Sequence, residues 1–229
     1  MEMIIGQEDG LNINMTLILC LTGNNFSGRF LDSLLEFQKW CYDNYIYLII
    51  NRKESCNIYY VRNMCLGGNS VAGENQLPWQ GKFKYDYILW IDNDIIFTVN
   101  DFIKLYKMNA KIASGLYKMQ DGINYATVKD WDEDFFIKNG SFEFLNDSFL
   151  SKLPTIFNAD YTGFGFILIK YGVFEKLKYP WFRPLWKTFG SVTEFTMEDV
   201  SFCHLMKDLN IEVKINKEVI VKHEKKVLL

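Results

Sequence analysis

The sequence predicts an α/β fold in which a mostly parallel central sheet is flanked by helices. Three observations carry this. Continuous apolar runs recur along the chain, within "MTLILCLTGNN", "YIYLIIN" and "YDYILWIDNDIIF", and strands covered on both faces read this way. Between them lie segments with apolar residues at helical spacing, and strands alternating with helices imply crossovers and parallel pairing. The 229 residues, 49% hydrophobic and 17% aromatic, are enough for a sizeable core.

Taken in order, "MTLILCLTGNN" (15–25) is a strand running into a small polar loop. Ser27 is placed to cap a helix whose apolar positions are Phe30, Leu31, Leu34, Leu35 and Cys41. "YIYLIIN" (45–51) is a second strand, and "IYYVRNMCL" a short helix stopping at Gly67 and Gly68. After a loop over 67–82 comes the strand ending in "DNDIIF", then a helix near Asn100 to Asn109 and a strand into "ASGLYK". Residues 121–155 mix aromatic and acidic residues without period. "TGFGFILIKYGVFEKL" is a glycine-containing turn, a strand and a short helix; "TMEDVSFCHLMKDLN" is a helix with Phe202, Leu205, Met206 and Leu209 on one face. "IEVKIN" and "VIVKHE" close the chain as short strands. No repeat or linker interrupts it, so one domain over 1–229 is expected.

Composition excludes some partners. A net charge of −3 argues against a nucleic acid held by a general basic field. The longest apolar runs are far too short to span a bilayer. The start carries Glu2, Glu8 and Asp9 and no Lys or Arg before Arg29, unlike a signal peptide. Five dispersed cysteines without a C-x-x-C fit reduced, mostly buried thiols and a cytoplasmic protein. The lysines of "KHEKKVLL" read as a solvated tail.

Three motifs carry chemistry. Asp92 and Asp94 end an apolar strand, where ligands of open α/β sheets bind. On an extended chain i and i+2 point the same way, so the two carboxylates ask for a cation, and oxygen-ligated magnesium or manganese fits. A turn-forming Asp pair is the plain alternative. In "TMED", Thr196 and Asp199 match a capping box, which leaves Glu198 spare at a helix start that favours ionised acids; either acid can serve as a general base. His223 shares a strand face with Val219 and Val221 and is a possible metal ligand, whereas His204 reads as structural.

The order of these motifs, "DND" after a buried strand, then "TGFGFILI", then "ED" opening a helix, then a late histidine, resembles the GT-A fold nucleotide-sugar glycosyltransferases, particularly compact viral and bacterial inverting members. The resemblance runs from "LCLTGNN" to "VKHEK" and implies a Rossmann-like sheet with a nucleotide-sugar half over about 12–118 and an acceptor half over about 119–229. It implies Asp94 as ligand of Mn2+ or Mg2+, Asp92 as its helper at ribose or metal-held water, and His223 completing the shell. Asp199 becomes the base and Glu198 orients acceptor hydroxyls. Thr22, Gly23 and Asn24 hold base and ribose, Arg62 reaches the pyrophosphate, and the turn of Thr162, Gly163 and Gly165 lies beside the sugar. The chain departs from the family in ending its first strand with "TGNN". The partners implied are a nucleotide-sugar donor and a carbohydrate or glycan acceptor, for a monomer or weak homodimer in the cytoplasm, the host's if virus-encoded.

Two other classes compete. A haloacid-dehalogenase-like phosphatase also uses D-x-D after a strand, but wants Thr or Val two residues beyond the second Asp, then Leu. Here Ile96 and Phe97 follow, and no late Gly-Asp-x-x-x-Asp occurs. A non-catalytic carbohydrate-binding module would suit the many Trp and Tyr residues, which are equally ordinary core material.

Overall fold

The computed structural model of the chain describes residues 14–225. Glu2, Glu8, Asp9 and the last four residues of the lysine-rich tail lie outside them. The first half runs β1 (Met15–Thr22), α1 (Gly28–Asp43), β2 (Ile46–Lys53), α2 (Ile58–Cys65), β3 (Tyr87–Asp92), β4 (Ile95–Ile96), α3 (Val99–Lys107) and β5 (Ile112–Leu116). The second half is more broken: β6 (Thr127–Val128), α4 (Glu133–Asn139), α5 (Asp147–Leu150), β7 (Ile156–Ala159), β8 (Tyr161–Thr162) and β9 (Phe166–Lys170). A hairpin of β10 (Trp186–Phe189) and β11 (Val192–Phe195) precedes α6 (Glu198–Asp208), β12 (Val213–Ile220) and β13 (Lys222–His223).

Local chemistry explains the helix ends. Ser27 caps α1, its hydroxyl accepting from the Phe30 N–H at 3.1 Å. The buried stripe of α1 is Phe30, Ser33, Phe37 and Cys41, while Leu31 and Leu35 are half exposed. Those two leucines fall on the flank of a stripe of 3.6-residue period. Asn57 caps α2, which ends before Gly67 at φ +68°, a left-handed position that glycine takes without strain.

Seven strands form one sheet in the order β2-β1-β3-β9-β5-β12-β7, drawing on both halves of the chain. Five run in one direction; β9 and β7 run against their neighbours. The sheet is mostly parallel, as strand-helix alternation predicts, with β9 and β7 as the two exceptions. A strand covered on both faces carries the same continuous apolar run whichever way it points, so "FILIK" does not encode its direction.

Alternate residues feed two cores. Leu17, Leu19 and Leu21 of β1 with Tyr87, Leu89 and Ile91 of β3 pack under α1 and α3. Ile18, Cys20, Ile88 and Trp90 face the other way, toward α6 and an aromatic cluster of Phe164, Phe174, Phe182 and Phe202. The irregular segment 121–155 packs its rings on the same side, Trp131 lying 4.4 Å from Phe142 and 4.8 Å from His204. His204 is thus structural, and burial pushes its imidazole down to about 4. The five cysteines are free, all but Cys56 buried. Among the described residues no helix is long and apolar enough to cross a membrane.

Phe202 is fully buried between Phe164 at 4.9 Å and Phe182 at 5.7 Å. Phe202→Ala is therefore expected to cost about 3–5 kcal/mol, against about 1 kcal/mol for Ser27→Ala at the α1 cap. Urea unfolding checks this; similar midpoints for the two variants at equal slope would contradict it.

Candidate functional site

Register brings Thr22, Lys53 and Asp92 level at the carboxyl ends of β1, β2 and β3. The chain leaves β1 through α1 on one face and returns past it through α2 on the other. The crevice between β1 and β3 is therefore the switch point at which α/β sheets bind ligands. Gly23 stands at its mouth with φ +111°, and a Cβ there would come within 2.9 Å of the Asn93 side chain. That close approach lets Asn93 donate to the Asn25 carbonyl at 2.9 Å, tying the loops after β1 and β3 together. Asn24 is hydrogen-bonded to Glu54 on the exposed side.

The two acids of "DND" do not point the same way. β3 ends at Asp92, and Asn93 and Asp94 form a turn before β4, so the extended-chain expectation fails there. Asp92 Oδ1 accepts from Thr22 Oγ1 at 3.1 Å and from Arg62 Nη2 at 3.2 Å. Burial raises its carboxyl, Arg62 works against that, and the nearby Asp94 charge adds to it. Thr22 is thereby turned inward to Asp92.

Asp94 meets His223. β13 pairs with β4 so that His223 lies opposite Ile95, and its Nε2 stands 3.0 Å from Asp94 Oδ2. Lys225 Nζ reaches the same oxygen at 2.7 Å. Burial pushes the Asp94 carboxyl up, and the hydrogen bonds from His223 and Lys225 more than reverse this, to about 2. His223 Nδ1 lies 2.8 Å from the Lys118 carbonyl oxygen, which only accepts, so Nδ1 carries a proton. With Nε2 unprotonated, its lone pair and Asp94 Oδ2 would converge, and a divalent cation could stand where the Lys225 ammonium stands here. A backbone carbonyl fixing the far nitrogen is also how ligating histidines are usually held. Among the described residues no group of three His, Cys, Asp or Glu side chains is assembled as a metal cluster; Asp94 and His223 form a pair.

Arg62 links the helix-start acids to this end of the sheet. Met197, not Thr196, is the N-cap of α6, with no side-chain cap bond; Thr196 Oγ1 instead accepts from the Leu185 N–H at 3.0 Å. The capping box expected from "TMED" is absent because the β10–β11 hairpin claims the threonine. Asp199 accepts from Tyr161 Oη at 2.9 Å and from the Val200 N–H at 2.8 Å. Burial and the neighbouring Glu198 charge push Asp199 up to about 6, against the pull of Tyr161 and Arg62. Glu198 is not spare: it is buried and paired with Arg62 Nε at 3.0 Å. Arg62, expected at a pyrophosphate, is 2% exposed and turned into the protein toward Asp92 and Glu198.

Tyr117 and Tyr161 escaped the sequence reading. Tyr117 lies 5.2 Å edge-on from His223, and the charges of both Asp92 and Asp199 act on its buried hydroxyl. Each tyrosine borders a buried strand, and a polar-tipped ring in such a place needs a partner; that signal was available. Gly163 and Gly165 exist for Tyr117: a Cβ on Gly163 would overlap its hydroxyl, and one on Gly165 would meet its ring at 2.6 Å. Gly163→Ala should cost about 1–3 kcal/mol by overpacking, and Tyr117→Phe should restore part of it in the double variant. Thermal melting of the four-member cycle checks this, and strict additivity would show that the hydroxyl is not the obstacle.

No family model and no curated protein matches the chain. Among solved structures it is similar to the crystal structure of A197 from STIV, with a TM-score of 0.57 and 18% identity over 93% of this chain and 86% of that one. The inositol-1-phosphate CTP transferase from T. maritima gives 0.46 at 8% identity over 92% of this chain and 89% of that one, too distant to carry an argument. The likeness to A197 shows the fold: an α/β chain built on a mostly parallel central sheet flanked by helices.

Proposed function

We propose that the chain is a metal-dependent glycosyltransferase that moves a sugar from a nucleotide-sugar donor to a hydroxyl of a carbohydrate or glycan acceptor, with inversion. The observation that carries this is that Arg62 joins Asp92, two residues before Asp94, to Glu198, the neighbour of Asp199, and so ties two unlike acid sites together. Asp94, bonded to His223 and Lys225, lies on one side of that bridge, and Asp199, pushed up to about 6, on the other.

Asp94 and His223 would hold Mn2+ or Mg2+, leaving its remaining positions to phosphate oxygens and water, as such ions prefer. Bound there, the cation supplies Lewis-acid charge for a departing diphosphate. Asp199 takes the proton of the acceptor hydroxyl onto its carboxylate, whose Oδ2 is steadied by Tyr161. A base near the working pH balances readiness to accept against the fraction ionised. With one base and, among the described residues beside it, no second free carboxylate to act as nucleophile, single displacement follows. A phosphatase would need Asp92 free to attack, whereas its Oδ1 is shared between Thr22 and Arg62.

Asp199→Asn should lower turnover roughly 10²-fold or more with donor binding unchanged. Glu198→Gln should act chiefly on stability, costing about 3–5 kcal/mol by breaking a buried pair. Because the base must be ionised, wild-type kcat/KM should fall as pH drops through about 6 and be flat above it. Release of nucleoside diphosphate from a nucleotide-sugar panel with manganese, followed across pH, measures all three. If only Glu198→Gln is dead the roles are reversed, and if no donor is turned over the transferase reading fails.

A further inference from the structure

Arg62 sits on α2 and Glu198 opens α6, 136 residues later. The guanidinium lies over Phe164 at 4.9 Å and near Trp90 at 5.6 Å from their ring centroids. Its Nε holds Glu198 at 3.0 Å and its Nη2 holds Asp92 at 3.2 Å, while Nη1 is buried without a partner among the described residues. We propose that Arg62 is a positioning residue: its planar fork, walled in by aromatic rings, clamps the donor-side Asp92 to the helix start that bears Asp199 and fixes the separation of the two acid sites. The proposal rests on the transferase reading of the crevice.

The geometry explains why arginine and why here. Asp92 and Glu198 are held by different nitrogens, Nη2 and Nε, and a rigid planar fork fixes both at once, whereas an ammonium's rotatable donors fix neither geometry. A buried cation of this kind is stable only while its acids stay in place, so the clamp has one geometry. Arg62 is also the cation that acts on three acids, Asp92, Glu198 and Asp199. Burial alone would lower its own affinity for the proton; the surrounding carboxylates raise it instead, so it remains charged. The groups that face Asp199 are Arg62 and Tyr59 from α2, Tyr117 beyond β5, Tyr161 from β8, and Glu198 and Cys203 on its own helix.

Carbon-13 titration of the Asp199 carboxyl in the substrate-free full chain, assigned with Asp199→Asn, tests the clamp independently of catalysis. Arg62→Met should raise the midpoint by about one pH unit or more, since an opposite charge has gone. Arg62→Lys should keep the midpoint within about half a unit but lower kcat by roughly 10²-fold at unchanged donor KM, because charge is retained and geometry lost. Should Arg62→Met fail to fold, Arg62→Met with Glu198→Gln strands no Glu198 charge and gives the same reading against Glu198→Gln alone. An unmoved midpoint in the Met variants, or full kcat in Arg62→Lys, overturns the proposal. If the midpoints move as expected while no nucleotide-sugar is turned over by the wild type, the clamp stands as structure and the transferase reading is what fails.

Discussion

A guanidinium buried to 2% exposure between two carboxylates is stable only when every partner is in place. Arg62 imposes that condition on three stretches of chain: the end of β3, the start of α6 and α2 itself. The aromatic cluster that surrounds it, Trp90 and Phe164 above all, supplies the dry wall against which the charges act strongly. Much of the second half can be understood as what is needed to bring Glu198 to that point. The β10–β11 hairpin takes the Thr196 hydroxyl, and Tyr59 donates to the Thr196 carbonyl, fixing the entry to α6 from both sides.

The same constraint separates the fates of acids that look alike in the sequence. Asp92 is taken up by Thr22 and Arg62 and has its carboxyl raised, first by burial. Asp94, two residues on, leaves the strand through a turn and is held low by His223 and Lys225. Glu198 and Asp199 divide likewise, one locked in an ion pair and the other poised by burial and its neighbour's charge.

Local rules made much of the fold legible. Continuous apolar runs located β1, β2, β3 and β9, and Ser27 and Gly67 marked the ends of α1 and α2. What stayed hidden is what tertiary contact decides. The direction of β9 leaves no trace in a strand buried on both faces. Thr196 satisfies a capping pattern locally, but a backbone N–H from Leu185 competes for it and wins. Arg62 carries the same letters whether it faces a phosphate or two buried acids, and only the arrival of Glu198 from 136 residues away decides which.

The account comes down to whether the crevice at Asp94 and His223 binds a diphosphate together with a divalent cation. Asp94 is neutralised here by the single charge of Lys225, and a divalent cation in its place would add attraction for phosphate. Calorimetry of a panel of nucleoside diphosphates against the intact chain, in manganese and in chelator, measures this directly. At least one nucleotide should bind about tenfold or more tightly with manganese, and His223→Ala should shrink that difference. Equal affinity in metal and in chelator for every nucleotide that binds would contradict it.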